Sequence, residues 1–222
     1  MTIDPATASP ATYARRARVL YQDVPGLQRL LPVLRPYILP LGPLLACVPA
    51  DADVLDIGAG TGLFLAMLAE TGRIRSGTGV EPARCARATF AAMARRSGSS
   101  VPLAIHGGRQ ADAWPAGRFD AVTLIDVLHH IPRGDRDALL DAAADRVAPG
   151  GALIIKDISP HPRWKALATR LHDLLLAREV VHYIDFRATH ERLCDNGLTV
   201  ATHRRLDRLW YSHELLVMTR NA

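Results

Sequence analysis

The residues best placed for chemistry in this 222-residue chain are one carboxylate and three glycines on a single short turn. They are Asp56, Gly58, Gly60 and Gly62 in the run Val54-Leu55-Asp56-Ile57-Gly58-Ala59-Gly60-Thr61-Gly62. The glycines strip the turn of side chains, so a ligand can lie against bare backbone beside a helix that opens near Leu63. Two phosphate-binding readings fit poorly. A phosphate loop places a Lys and then a Ser or Thr after its last glycine, where Leu63-Phe64 stand here. A dinucleotide turn reads G-x-G-x-x-G, and Asp56, two residues before the first glycine, would repel a pyrophosphate while favouring a cationic group. A second carboxylate, Glu81, follows about twenty residues beyond the glycines. At the tip of a second strand it can accept hydrogen bonds from both hydroxyls of a ribose. The blander role, capping the helix that Pro82 begins, weighs less beside Asp56 and the glycines.

Further on stand Asp126, Val127, His129 and His130, then Lys156 and Asp157. His129 is the better candidate of the pair for a general base, because imidazole titrates near neutral pH and adjacent side chains do not face the same way. Asp157 is a second candidate for base or substrate orientation. Two neighbouring histidines without a third ligand at suitable spacing do not make a metal site, so no metal is expected.

Alternating elements must position these groups. Val54, Leu55 and Ile57 suit a covered parallel strand, expected over residues 53–57. A helix follows over 63–70, a strand over 77–80, a helix over about 83–96 and a strand over 101–105. Phe119 to Ile125 is apolar at nearly every place and therefore central. Leu139, Leu140, Ala143 and Val147 recur at helical spacing until Pro149-Gly150-Gly151, and Ala152 to Lys156 is a fifth strand. Trp164, Leu167, Ala168, Leu171, Leu174 and Leu175 form one face of a longer helix, near His161, His182, Tyr183 and His190. A short helix ends at Asn196-Gly197. Leu198 to His203 and Tyr211 to Thr219 are too close in sequence for a crossover helix and should pair antiparallel. Residues 1–50 read as an appended helical extension, with Ser9-Pro10 as a helix start, and residues 51–222 as the ligand-binding domain.

Composition narrows the partners. The net charge is +5, but only Lys156 and Lys165 are lysines and the arginine pairs are scattered, which argues against a nucleic-acid partner. Cys47, Cys85 and Cys194 are odd in number and far apart, so neither a disulfide framework nor a zinc site is indicated and a cytoplasmic location is expected. Arg29, Arg35 and prolines 32, 36, 40 and 43 interrupt the apolar stretch from Leu27 to Val48, so no membrane partner is expected.

The D-x-G-x-G-x-G turn, Glu81, the F-D-A-V-T-L-I-D-V-L-H-H-I block from Phe119 to Ile131, and the A-P-G-G turn before the fifth strand together resemble the class I S-adenosylmethionine-dependent methyltransferases. The block is most similar to those acting on small molecules, including the ubiquinone- and menaquinone-pathway type. The resemblance covers most of residues 51–222. It implies an α/β, Rossmann-like fold with a mostly parallel seven-stranded sheet and an antiparallel last strand. It also implies S-adenosyl-L-methionine as cofactor, held by Asp56, Gly58, Ala59, Gly60, Gly62, Glu81, Pro82, Gly108, Arg109, Asp126 and Val127. The acceptor would be a small molecule methylated on oxygen, nitrogen or carbon, and a homodimer is compatible. One position departs from the pattern: Gly108 stands where many relatives have an acid that hydrogen-bonds the adenine amine. RNA or protein methylation, and a non-catalytic partner subunit, are alternatives. The first lacks an N-P-P-Y-type loop after strand four or a cysteine there, and the second usually loses the glycines or the ribose acid. A nicotinamide oxidoreductase is disfavoured by the glycine spacing and Asp56.

Overall fold

The computed structural model describes residues 3–5, 7–159, 184–208 and 211–222. Three helices lead, α1 (Pro10–Leu20), α2 (Leu27–Ile38) and α3 (Leu41–Cys47). α1 begins where the sequence puts it: Ser9 Oγ accepts the Thr12 N–H at 3.2 Å and Pro10 opens the first turn. Then come β1 (Ala52–Ile57), α4 (Leu63–Glu70), β2 (Ile74–Val80), α5 (Arg84–Arg96), β3 (Leu103–His106), β4 (Phe119–Ile125), α6 (Arg133–Asp145) and β5 (Val147–Ile158). α7 (Phe186–Asp195), β6 (Leu198–Arg208) and β7 (Tyr211–Arg220) complete the described chain. Single 3-10 turns at Ala111–Ala113 and Leu128–His130 follow β3 and β4.

The strands form one seven-stranded sheet in the order β3-β2-β1-β4-β5-β7-β6. β7 runs antiparallel to β5 and β6, and the other pairs are parallel. The chain winds outward from β1 in one direction and from β4 in the other. A crevice therefore opens at the carboxyl ends of these two neighbours, the usual ligand position in open α/β sheets. Alternate residues serve opposite layers, as the pleat requires. Val54, Ala121, Ile154 and Leu215 pack under α4 and the leading helices. Leu55, Val122, Leu153 and Leu216 pack under α6 and α7.

The elements match the sequence expectation with local differences at strand ends, among them β6, expected to stop at His203, which runs on to Arg208. β2 starts earlier, at Ile74, which is buried in the core. β3 begins only at Leu103, because Pro102 has no amide to donate and enters the ladder solely through its carbonyl, which accepts the Gly77 N–H. β5 extends back to Val147 through Pro149-Gly150-Gly151. Val147 pairs with Phe119 and Ala152 with Ala121, so the intervening residues form an irregularity inside the strand. The helix expected over Trp164 to Leu175, with His161, His182 and Tyr183, lies outside the described residues. Among the described residues no single helix is long and apolar enough to cross a membrane.

Candidate active site

The glycine turn joins β1 to α4. Gly62 adopts φ +85°, and a Cβ there would lie 2.4 Å from Phe90 Cδ2, so both backbone and space demand glycine. At Gly58 a Cβ would come within 2.6 Å of Val127 Cγ2. Four of the turn's amides are already committed inside the chain. Gly58 and Ala59 donate to the Val80 carbonyl at 2.8 and 3.0 Å, and Gly62 donates to the Ala59 carbonyl at 2.9 Å. Gly60 donates to Glu81 Oε2 at 3.0 Å. A phosphate loop works by presenting such amides to its ligand, so this turn is a surface for a ligand without phosphate. Tyr21, at the end of α1, donates its hydroxyl to the Thr61 carbonyl at 2.9 Å and ties the leading helices to the turn.

Glu81 combines both roles considered for it. Oε1 accepts the Ala83 N–H at 2.8 Å just before α5, while Oε2 reaches the glycine turn. Each carboxylate oxygen has a further lone pair, so the group can still receive hydroxyl donors. It stands on the wall of a cavity of about 640 Å³ that extends from Gly58 and Asp126 past Glu81 and Pro82 to Gly108, Arg109 and Trp114. Asp56, Ala59 and Gly60 line a smaller adjoining cavity with Arg35. Gly62 lines neither of these cavities; its part is to seat α4 against α5.

Asp56 is 2 % exposed, and its Oδ1 accepts the Thr123 hydroxyl at 2.6 Å. Burial pushes its carboxyl up to about 7, against the pull of that hydrogen bond and of the Arg35 charge. Asp126 is the opposite case. Burial alone would raise its pKa, but the charges of Lys156 and Arg35 outweigh that and hold it well below the usual carboxylate range. Lys156 Nζ contacts Asp126 Oδ1, and Arg35 Nη2 donates to Oδ2 at 3.0 Å. The Asp126 amide donates to the Lys156 carbonyl at 2.8 Å, with its backbone in the left-handed region at φ +59°. A non-glycine residue held there is strained, and a strained carboxylate locked by two cations at a ligand crevice is a positioned group.

His129 and Asp157 form a buried pair. His129 Nδ1 lies 2.6 Å from Asp157 Oδ1, while Oδ2 accepts the Leu128 amide at 2.9 Å. Because Asp157 is an acceptor, Nδ1 carries the proton and Nε2 keeps the lone pair. Burial lowers the His129 pKa, but the hydrogen bond and charge of Asp157, with Asp126, reverse this and raise it. Asp126, His129 and Asp157 each bring one ligand-type atom within 4.8 Å of one another, a spacing a metal ion can bridge. Lys156 and Arg35 already supply the positive charge beside Asp126 that such an ion would bring.

Of the residues singled out from the sequence, Gly58, Glu81, Pro82, Gly108, Arg109, Asp126 and Val127 share the large cavity. His129 does not line it; His130 does. The sequence reading passed over Arg35, Tyr21 and Trp114. Arg35 and Tyr21 sit in a helical extension far from any motif, and only folding brings them to the turn. The Trp114 indole N–H is buried without a hydrogen-bond partner among the described residues, and Trp114 forms part of the cavity wall.

The switch-point cavity, the glycine turn and the carboxylate at the end of β2 are arranged as in the class I S-adenosylmethionine-dependent methyltransferases. A model of the methyltransferase domain family matches residues 26–203, and the chain belongs to that family. A ubiquinone biosynthesis O-methyltransferase of Xanthomonas axonopodis pv. citri is 33 % identical over 141 residues, 62 % of this chain and 57 % of that protein. One from Xanthomonas campestris pv. campestris is 30 % identical over 167 residues, covering 74 % and 68 %. The chain thus spans a little over half the length of the first of these relatives. Among solved structures, an O-methyltransferase family protein from Burkholderia thailandensis superposes with TM-score 0.66 at 21 % identity, covering 96 % of this chain and 63 % of that one. Magnesium protoporphyrin IX methyltransferase from Synechocystis PCC 6803, solved with bound SAH, gives TM-score 0.65 at 18 % identity, covering 96 % and 95 %. At these identities the structures support the fold. The cofactor of the class fits the residues present: a glycine-rich turn with most of its amides already engaged, a carboxylate with lone pairs for ribose, and a buried Asp56 beside the turn.

Proposed function

We propose that this protein methylates an oxygen of a small-molecule acceptor, and that Asp56, Gly58, Glu81, Asp126 and Val127 hold the donor. The observation that carries this reading is Glu81 braced between the Ala83 amide and the glycine turn, on the wall of a cavity with room for a nucleoside. When bound, S-adenosylmethionine supplies an electrophilic methyl group and a neutral thioether leaving group. Glu81 receives the ribose hydroxyls. Arg35 is placed to pair with a carboxylate at the turn, Asp126 stands nearest an ammonium, and the buried Asp56 backs the turn. His129, oriented by Asp157 and buried behind the cavity wall beside Asp126, is our candidate to take a proton from an acceptor hydroxyl through Nε2. The preference for oxygen rests on this pair together with the named activity of the Xanthomonas relatives. The free cysteines, none paired, are consistent with a reducing cytoplasm.

The test is binding followed by turnover. S-adenosylhomocysteine should raise the melting temperature and NAD should not. Glu81→Ala should weaken S-adenosylhomocysteine by about a hundredfold, the scale of losing charge-assisted hydrogen bonds. Unchanged affinity would remove Glu81 from the donor site. A screen of phenols, quinones and amines, read by homocysteine release, should give turnover with hydroxyl-bearing acceptors. Turnover confined to amines would overturn the oxygen assignment.

A further inference from the structure

The far end of the donor cavity lacks the closure that a side chain could provide. Gly108 has φ +122°, and a Cβ there would lie 2.4 Å from Ala113 Cβ, so the turn at Ala111–Ala113 leaves no space for any side chain at that position. No carboxylate at residue 108 can therefore read the edge of a base. Beyond this point the structure opens into a second cavity of about 540 Å³, which shares Arg109, Trp114, Ile131, Pro132 and Leu139 with the first. Its outer wall is formed by Gln110, Asp112, Asp135 and Ala138.

A nucleoside fixes which of its edges meets this annex. With the ribose at Glu81 and the amino-acid tail toward Gly58 and Asp126, the base must extend the other way, toward Gly108 and Trp114. The edge remote from the ribose, which in adenine carries the exocyclic amine, then faces the shared wall. We infer that the annex is a subsite for substituents on that amine. This rests on the donor reading above. The ligand class is adenosyl compounds alkylated or benzylated at the 6-amino group. An annex with apolar Trp114, Ile131 and Leu139 on its inner wall and polar groups outside suits a flat aromatic substituent.

The experiment compares S-adenosylhomocysteine with its N6-benzyl analogue by calorimetry on the full chain and on Ala138→Trp. Ala138 is exposed on α6 and lines only the annex, so a bulky side chain there fills the annex at little cost to folding. The natural protein should bind both ligands within about threefold, whereas Ala138→Trp should keep the parent ligand and lose the benzyl analogue by about tenfold or more. A benzyl analogue rejected by about a hundredfold in the natural protein, with the parent ligand bound, would overturn the inference and leave the donor reading standing. Equal binding of the analogue to Ala138→Trp and the natural protein would also overturn it. Failure of the parent ligand to bind would defeat the donor reading itself. If Ala138→Trp does not fold, the two ligands on the natural protein still decide.

Discussion

Replacing Asp56 with Asn should make the protein more stable in neutral solution, by an amount that depends on pH. The carboxyl is raised from the ordinary aspartate value of 3.8 to about 7 in the fold, because it is buried and the hydrogen bond from Thr123 does not offset lost hydration. The folded state therefore binds the proton more tightly than the unfolded state. Stability from this group is fully present below about pH 4 and is lost as pH rises to about 7. A shift of roughly three units corresponds to about 4 kcal/mol. His213 works against this. Burial, helped by the Lys156 charge, depresses it to about 4, so its contribution is restored as pH rises from about 4 toward its ordinary value of 6.5. The natural protein's own pH profile thus hides both effects, and the difference between variant and natural protein isolates Asp56. Urea unfolding at several pH values should show Asp56→Asn gaining on the natural protein by roughly 3 kcal/mol between pH 5 and 7.5, then levelling off. A pH-independent difference would mean that Asp56 is ionised throughout, with Arg35 carrying its charge, and the burial argument would be wrong.

Other perturbations follow from single contacts. Lys156→Met leaves the half-buried Asp126 with Arg35 alone and should cost about 1–3 kcal/mol in urea unfolding at pH 7; a neutral result would show that the Lys156 pair is dispensable. Gly62→Ala must adopt φ +85° and press on Phe90, so it should lose about 2–4 kcal/mol, and a loss below half of that would show that α5 can yield. Asp157→Asn removes the acceptor charge that raises the His129 pKa. If His129 is the base, the lower limb of the activity profile should move to lower pH. A purely structural role would lower activity without moving that limb.

The order of elements and the placing of the carboxylates and glycines were legible in the chain, because these are local. Alternating apolar strands, the glycine spacing and the Asn196-Gly197 stop are all written within a few neighbouring residues. The differences at β2, β3, β5 and β6 arise where pairing with a neighbouring strand, rather than local pattern, sets the boundary. Tertiary structure alone decided the charge states and the neighbours. Asp56 and Asp126 are the same residue type at the ends of adjacent strands, yet one is pushed toward neutrality and the other held ionised, since only Asp126 makes direct contact with Lys156 and Arg35. Arg35 reaches Asp126 across the leading helices and Lys156 reaches it from β5. Such contacts depend on three-dimensional distance and burial, which no short stretch of chain encodes.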